Sequence, residues 1–469
     1  MSGICYDSRQ AQPGFAFVAL RGAKMDGHDF IAGAIARGAT TIVAEKEPGE
    51  TPPEGVSLVI VSDTRDALAR LAEYYYDFPS RRARLLGVTG TNGKTTITYL
   101  LASIVTQAGK KWGRIGTVGY DVMGKSYPSS NTTPESLDIQ RMLAAVADGG
   151  GDYCFLEVSS HALDQRRVDR LLFRSAIFTN LTQDHLDYHG DMETYFNAKR
   201  LLFTRHAPEI SVINVDDPWG ERLLPAIGGK TLTYGLKKKA DVTAADVLMT
   251  MNGVRMTLVT PHASIPIKTR LTGTHNVYNI LAAAACAIGE GIGLSHIVNG
   301  IEKCVGAPGR FEKVVAGQPF AVIVDYAHTE DALINVLGAA RGLNPNRIIT
   351  LFGCGGDRDK LKRPLMGRAV WDRSEMVIVT SDNPRTENPQ AIIDDVLKGI
   401  PAAGREGKLY VLPDREEAVA AAIRMARPGD LVLLAGKGHE DYQIIGEQKI
   451  HFDDREVAAN VIKEIYGKV

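Results

Sequence analysis

Gly90-Thr91-Asn92-Gly93-Lys94-Thr95-Thr96 follows at once on the apolar run Leu85-Leu-Gly-Val-Thr. These residue types suit the polyphosphate of a nucleotide. Glycines let backbone N–H groups turn toward phosphate oxygens, Lys94 can neutralise charge at the β/γ position, and the Thr95 hydroxyl can bind Mg²⁺. The helix expected after the loop aims its positive N-terminus at the same anion. A full Walker pattern would need glycine at position 88, where this chain has Val88, so the loop is a shortened Gly-x-x-Gly-Lys-Thr form. The alternative reading is a surface turn before an ordinary helix.

Two further groups extend the site. Mg²⁺ takes hard oxygen donors and keeps several waters, so one or two protein ligands besides Thr95 suffice. Glu157 ends the apolar run Cys154-Phe-Leu-Glu, where a lone carboxylate is costly unless paired or bound to metal. His185 stands in Asn180-Leu-Thr-Gln-Asp-His-Leu-Asp-Tyr-His, directly after the next apolar run. Taken singly, Glu157 reads as a structural hydrogen-bonding group and His185 as a satisfied turn residue. Beside a phosphate loop the joint metal reading is favoured. Farther along, Asp382-Asn383-Pro384-Arg385 also follows an apolar run. Arg385 can grip a carboxylate with two parallel N–H···O bonds, while Asp382 and Asn383 can hold an ammonium. An incoming amino acid needs that mixture. A Pro-centred turn with a surface ion pair is the alternative.

The elements that position these groups fall into three blocks, as 469 residues at about 150 per domain imply. Residues 1–80 carry short strand-like runs (16–19, 41–44, 58–61) and Ala-rich helical segments (29–37, 64–76), ending at the hinge Asp77-Phe-Pro-Ser-Arg-Arg. Residues 81–310 hold the phosphate loop, a helix to about Gln107, and buried-strand candidates at 153–158, 175–179 and 211–215. Strands alternating with helices indicate βαβ units around a parallel sheet. Residues 231–270 alternate apolar and polar, as in a small antiparallel appendage, and an Ala-rich helix follows at 276–289. Residues 311–469 carry five apolar strands (320–324, 348–352, 376–380, 409–412, 431–435) with helices between them. That pattern predicts a doubly wound, Rossmann-like sheet, with ligands beyond the carboxyl ends of its strands. The polar clusters Asp325-Tyr-Ala-His, Gly353-Cys-Gly-Gly-Asp-Arg, Asp382-Asn-Pro-Arg and Gly436-Lys-Gly-His-Glu fall at those ends. The fold class is thus α/β in three domains, the central one a P-loop-type parallel-sheet ATPase domain.

Composition narrows the function. Apolar residues at 44% and charged residues at 23% describe a globular chain and argue against disorder or collagen. Fifty-four Lys and Arg nearly cancel 55 Asp and Glu, so no global field recruits nucleic acid or anionic membrane. The apolar stretch Ile280–Ile288 is far short of the ~20 residues that span a bilayer. The N-terminus lacks a basic and then apolar signal segment. Five cysteines, odd in number and without a C-x-x-C pair, point to a reduced, cytoplasmic protein without a disulfide framework.

In chain order the sequence also carries Glu157-Val-Ser-Ser-His, Asn180-Leu-x-x-Asp-His-Leu-Asp-Tyr-His, Tyr195-Phe-Asn-Ala-Lys199, His275-Asn-Val-Tyr-Asn279-Ile-Leu-Ala-Ala, Pro308-Gly-Arg310-Phe-Glu and Asp325-Tyr-Ala-His-Thr. Together with the phosphate loop this series resembles the Mur ligases, ATP-dependent amide-forming enzymes that build the peptide of the bacterial cell wall. The likeness runs over nearly the whole chain and is closest to the branch that adds the third residue to UDP-N-acetylmuramoyl-L-Ala-D-Glu. It implies ATP and Mg²⁺ as cofactors, with Gly90 to Thr96 on the phosphates and Thr95, Glu157 and His185 around Mg²⁺. Lys199 matches the lysine that the family carries as a carbamate, a carboxylate-like ligand for a second Mg²⁺; read alone, it is a solvated or phosphate-pairing cation. Lys94, Lys199 and His185 are the catalytic candidates. Asn279 matches an adenine contact, and Arg310 and Asp325 match ATP contacts, with His328 as a further cleft residue. Tyr6, Ser8, Ala23, Lys24 and Met25 match the uridine-diphosphate end. Asn131, Thr132, Thr133, Ser159, Gln165 and Arg167 match muramyl-peptide contacts, although Asn131-Thr-Thr-Pro alone reads as a capped loop.

Asp-Asn-Pro-Arg is the form associated with addition of meso-diaminopimelate, and Arg358, Gly436 and Glu440 match further contacts in that branch. The implied reaction runs through an acyl phosphate on the D-Glu γ-carboxylate, then attack by the amine, releasing ADP and phosphate. His161 is a candidate base or a structural group. The resemblance further implies closure of the third domain on the second, a monomer, and no nucleic-acid or membrane partner. Rival readings are an L-lysine-adding homologue, a folate polyglutamate or cyanophycin-type ligase of the same superfamily, and a nucleotide-dependent switch that forms no bond. Two departures stand out. Relatives carry a longer segment before Tyr6-Asp-Ser-Arg, so either a weaker hold on uridine or a different start is expected. Glu330 stands where relatives commonly have proline.

Overall fold

In the computed structural model, which describes residues 1–22, 25–49 and 51–467, the chain forms two compact units. The first comprises Met1–Leu181, His185–Thr243 and Leu281–Gly300, and the second comprises Thr182–Asp184, Ala244–Ile280 and Ile301–Val469. Ala23 and Lys24 lie outside the described residues.

Two sheets build the first unit. Strands β1 (Gly3–Cys5), β2 (Phe15–Val18), β3 (Thr41–Ala44) and β4 (Ser57–Ile60) run parallel in that order. Helix Ile31–Ala36 covers one face over Phe17 and Ile42, and helix Thr64–Tyr75 covers the other through Leu68 and Ala72. Asp63 caps the second helix by accepting from the N–H groups of Arg65 and Asp66.

The larger sheet contains β5 (Arg84–Thr89), β6 (Trp112–Ile115), β7 (Tyr120–Val122), β8 (Lys125–Tyr127), β9 (Tyr153–Glu157), β10 (Phe173–Phe178), β11 (Ile210–Asn214) and β12 (Lys230–Tyr234). Their spatial order is β12-β11-β10-β5-β9-β6-β7-β8. All pairs from β12 to β6 are parallel, and β7 and β8 fold back antiparallel at one edge. β5 is therefore interior, which matches its continuous apolar run. The phosphate loop leaves β5 at the carboxyl end of the sheet and enters helix Lys94–Gln107. Leu85, Leu156, Phe178, Leu202 and Ile213 belong to the core beneath it, and each fully buried chain of this kind contributes about 1.5–3 kcal/mol.

The second unit holds a three-stranded sheet, β13 (Thr243–Thr250), β14 (Gly253–Val259) and β15 (Ser264–Thr269), whose last pair is antiparallel. The expected appendage over 231–270 is corrected in one respect: Lys230–Tyr234 joins the large sheet as its parallel edge strand. Alternation of apolar and polar residues suits both settings, because each leaves one face half exposed. The six-stranded sheet is built from β16 (Glu312–Lys313), β17 (Ala321–Asp325), β18 (Ile348–Phe352), β19 (Met376–Val379), β20 (Leu409–Val411) and β21 (Leu431–Ala435), in the order β16-β17-β21-β18-β19-β20. Its five longer strands are parallel. Both faces are covered, one including Leu333, Val370 and Ile393, the other Val419, Ile423 and Ile462. A hairpin, β22 (Tyr442–Ile445) and β23 (Gln448–His451), follows. All five cysteines are free and buried.

Candidate active site

In the first unit the phosphate loop is held from several sides. Gly90 has φ +141°, and a Cβ there would collide with the Thr179 hydroxyl, so a side chain would meet both backbone strain and that clash. The Thr91 N–H donates to the Asn180 carbonyl (2.9 Å), the Asn92 N–H to Asn180 Oδ1 (3.0 Å), and Thr179 Oγ1 to the Asn92 carbonyl (2.7 Å). Lys94 Nζ donates to the Gly90 and Thr91 carbonyls, both at 2.8 Å, and Lys199 Nζ reaches the same Gly90 carbonyl at 3.0 Å. Lys199 is 1% exposed. The solvated alternative for that side chain is thus replaced by a buried amine on the floor of the loop, over the Tyr195 ring.

Glu157 is fully buried at the end of β9, the strand beside β5. Its carboxylate accepts from Thr95 Oγ1 (3.0 Å), Thr117 Oγ1 (2.9 Å) and the Thr117 N–H (3.1 Å). Among the described residues no cluster of three or more His, Cys, Asp or Glu side chains is arranged to hold a metal. The donor set nonetheless fits Mg²⁺. A buried carboxylate, held by hydroxyls and one N–H, faces a hydroxyl on the phosphate loop, and Mg²⁺ keeps water in its remaining positions. Thr117 was not singled out from the sequence, because nothing in Gly116-Thr-Val marks it.

His185 is exposed, at φ +54°, at the head of the short helix Leu186–His189. Its ring lies edge-on to His161 (4.8 Å between centroids) and 6.2 Å from Tyr195, whose hydroxyl is 3.3 Å from Thr91 Oγ1. His161 also packs on Tyr188 at 4.2 Å. Burial, and next the Arg167 charge, push the His161 imidazole below its ordinary value, so it is neutral at pH 7.

Among the muramyl-peptide candidates, Thr133 bonds Glu157 directly, and Thr132 and Ser159 are linked to it through Thr117 and Thr133. Thr133 Oγ1 donates to the Glu157 carbonyl (2.7 Å) and accepts from the Ser159 N–H (3.0 Å), and Thr132 Oγ1 lies 3.1 Å from Thr117 Oγ1. Arg167 donates to the Thr133 carbonyl (2.9 Å) and to Gln165 Oε1 (2.8 Å), and lies 3.0 Å from Glu135. Asn131 is exposed, its carbonyl accepting from Tyr120 (2.7 Å). Glu135, which nothing in Pro134-Glu-Ser marks in the sequence, also receives Arg65 at 3.3 Å. Arg65 in turn donates to the Arg21 carbonyl (3.1 Å), four residues before Met25 in the sequence. A hydrogen-bonded path therefore links the small sheet to the muramyl-peptide candidates. Met25 is 67% exposed; Tyr6 donates to Asp138 (2.6 Å), and Ser8 begins a 3₁₀ turn capped by Asp7.

The second unit brings together the remaining candidates in two groups. Asp325 accepts from the Phe311 N–H (2.7 Å) and the Ala327 N–H (2.8 Å), and the Arg310 guanidinium lies over the Tyr326 ring at 4.9 Å. His328 is exposed, with Nδ1 2.7 Å from the Tyr326 carbonyl. Asn279 is buried and donates to Asn276 (3.0 Å). In the other group, Asp382, Asn383 and Pro384 are buried beyond β19. Asn383 donates to Glu440 (2.9 Å), and Gln443 to the Asp382 carbonyl (2.6 Å). Arg385, at φ +52°, donates to the Gly356 carbonyl (2.8 Å). It flanks Gly355 together with the exposed Arg358. Gly436, at φ +111°, packs against the Asp382 carboxylate. Lys437, within Gly436-Lys-Gly-His-Glu, is fully buried among these side chains.

Parallel sheets with a phosphate loop on one and a mixed-charge cluster on the other define a nucleotide-dependent ligase. Residues 1–76 match the Mur ligase family, catalytic domain, residues 88–287 the Mur ligase middle domain, and residues 309–438 the Mur ligase, glutamate ligase domain. The chain belongs to the Mur ligase family. It is 47% identical over 465 residues to the UDP-N-acetylmuramoyl-L-alanyl-D-glutamate–2,6-diaminopimelate ligase of Geobacillus thermodenitrificans, covering 98% of this chain and 94% of that one. The ligase of the same name from Solibacter usitatus is 46% identical, at 99% and 94% coverage. A solved structure of a ligase so named aligns with a TM-score of 0.71 at 35% identity, covering 99% of this chain and 95% of that one. The corresponding D-alanyl-D-alanyl ligase of Acinetobacter baumannii shares the fold, with a TM-score of 0.66 at 22% identity and coverage of 93% and 90%. No helix among the described residues is long and apolar enough to cross a membrane.

Proposed function

We propose that this ligase joins meso-diaminopimelate to the D-Glu γ-carboxylate of UDP-N-acetylmuramoyl-L-Ala-D-Glu, cleaving ATP to ADP and phosphate. One observation carries the reading: near-full-length likeness, at 47% identity over 98% of the chain, to a ligase bearing that name. The geometry supports each half of the chemistry. The loop Gly90 to Thr96, at the N-terminus of helix Lys94–Gln107, and the Lys94 ammonium would cradle the phosphates and offset charge on the transferred γ-phosphoryl group. Thr95, Glu157 and His185 would hold Mg²⁺, which would supply further charge neutralisation there. Carbamylation of Lys199 would turn the buried amine beneath Gly90 into an oxygen donor beside the same phosphates. Asn279, Arg310 and Asp325 complete the ATP contacts.

Tyr6, Ser8, Ala23, Lys24 and Met25 take the uridine-diphosphate end. Asn131, Thr132, Thr133, Ser159, Gln165 and Arg167 hold the peptide so that its γ-carboxylate oxygen faces the γ-phosphorus. That oxygen attacks phosphorus, ADP leaves, and an acyl phosphate remains. The diaminopimelate amine then attacks the carbonyl carbon, and collapse of the tetrahedral adduct expels phosphate while the amine proton passes to solvent. Arg385 and Arg358 bind the distal carboxylate, with Asp382, Asn383, Gly436 and Glu440 around the distal amine. A cytoplasmic setting belongs to this proposal, and five free, buried thiols suit it.

The test is ADP release from purified protein with ATP, Mg²⁺ and the UDP-muramyl dipeptide, in parallel with meso-diaminopimelate, L-lysine or no amino acid. Release that requires diaminopimelate is expected. Preference for lysine would overturn the third-residue assignment and leave the ligase chemistry standing. Release indifferent to any amine would overturn the reaction.

A further inference from the structure

The turn from Gln165 to Arg170 carries two of the muramyl-peptide candidates, and its backbone is strained. Arg166, at φ +57°, and Arg170, at φ +64°, are both left-handed, a region that residues with side chains rarely enter. Such strain persists only where the surroundings over-determine it. Val168 and Leu171 supply part of that hold from the core beneath the large sheet. Arg166 lies 3.2 Å from Asp63 and Arg170 lies 3.4 Å from Asp66, but both pairs are partly exposed and correspondingly weak.

Asp169, between the two left-handed residues, is held differently. Its side chain is 4% exposed, and Arg205 donates to its Oδ2 at 2.5 Å. His206, 3.9 Å from Oδ1, is neutral at pH 7 and adds no charge. Burial raises the Asp169 carboxyl above its ordinary value, and the Arg205 guanidinium opposes that rise. The turn therefore cannot relax without stranding a buried carboxylate away from its cation. Arg205 is the C-cap residue of helix Met192–Thr204, which also carries Tyr195 and Lys199. In the path so fixed, Arg167 bridges Gln165 Oε1 (2.8 Å) and the Thr133 carbonyl (2.9 Å). We propose that Asp169 is a positioning residue for the UDP-muramyl peptide: anchored to Arg205, it fixes the strained path of Gln165 and Arg167 and ties those contacts to the helix of Lys199. This rests on the reading that Gln165 and Arg167 hold the muramyl peptide.

ADP release by the full-length protein gives kcat and separate KM values for the UDP-muramyl dipeptide, ATP and diaminopimelate. Asp169→Asn keeps the shape without the charge, Arg205→Gln removes the anchor from its partly exposed side, and Arg205→Lys keeps the positive charge. Gln165→Ala alters a proposed contact directly, and thermal melts identify the variants that fold. Folded Asp169→Asn or Arg205→Gln protein is expected to show an about tenfold higher KM for the dipeptide, with the other two KM values within about twofold. Arg205→Lys should stay near the starting protein, and the double variant Asp169→Asn/Arg205→Gln should be no worse than either single one, because both break the same link. Unchanged KM values, or proportionate loss for all three substrates, would show the pair to be merely structural and overturn the proposal. The two readings fail separately. A dipeptide KM untouched by Gln165→Ala sinks the contact assignment, whereas one raised by Gln165→Ala but not by Asp169→Asn or Arg205→Gln sinks only the role of Asp169.

Discussion

Glu157 illustrates how much can depend on one side chain. Fully buried, it gathers two threonine hydroxyls and a backbone N–H at the phosphate loop. Glu157→Gln preserves shape and some hydrogen bonding but removes the charge that a hard cation needs. Its turnover should fall at least about 100-fold, with the Mg²⁺ concentration for half-maximal rate rising about tenfold or more, read by Mg²⁺ titration of ADP release. Lys199 allows a sharper discrimination. Lys199→Ala should lose activity by a similar factor, and a small carboxylic acid such as formate should restore part of it if the native group is a carbamate. Restoration by a small amine instead would favour the uncarbamylated ammonium seen on the Gly90 carbonyl. Residue-level legibility was uneven for a physical reason. Gly90, Lys94 and Thr95 announce themselves because only those types can turn a backbone around phosphate. Thr117 and Glu135 are ordinary polar residues that acquire meaning only from the strand and helix brought beside them.

Elements carry the next set of consequences. Arg415 and Asp454, both fully buried, join the helices Arg415–Met425 and Asp454–Tyr466 through bonds of 2.7 and 2.8 Å. Arg415 also donates to the Ala435 carbonyl (3.1 Å), directly before Gly436. Arg415→Ala would strand Asp454 without a partner, at a cost of about 3–5 kcal/mol in chemical denaturation. Glu135 is less enclosed and bridges Arg65 and Arg167. Glu135→Ala should therefore cost only about 1–2 kcal/mol, while raising the KM for the UDP-muramyl dipeptide and leaving that for ATP unchanged. The core strands were readable from apolar runs bounded by turn residues, and the boundaries of β3, β18 and β21 coincide with those runs. The strands toward the two ends of the large sheet were not. β6 and β7 are mostly buried but are short and carry Arg114 and Asp121, β8 is exposed with Lys and Ser, and β12 alternates like the sheet that follows it, so none shows a continuous apolar signal.

For the whole molecule, acid is the informative stress. His206, its side chain 6% exposed, is pushed down to about 4, by burial first and then by the Arg205 charge. His439 is likewise pushed down to about 4, by burial and then Arg310. Both bind a proton more readily when unfolded, where the ordinary value is 6.5. Their stabilising contribution is complete above that value and is lost as pH falls toward about 4. Each histidine removes up to about 1.4 kcal/mol per pH unit within that window. Melting temperatures measured from pH 7.5 to 4.5 should decline accordingly, and His206→Gln should flatten the decline. A Tm independent of pH across the window would contradict this account.

The enclosure of every cysteine has a practical side. Burial raises the thiols of Cys5, to about 11, and of Cys154 and Cys354, to about 12, and it raises those of Cys286 and Cys304 as well. Thiolate is the form that attacks maleimides and iodoacetamides, so the native protein should pass through such reagents unlabelled. A pair of introduced cysteines, one at the exposed Tyr127 and one at the exposed Leu361, would then be the sole attachment points for two fluorophores. Energy transfer between them would follow the two units through the catalytic cycle in an otherwise unaltered chain.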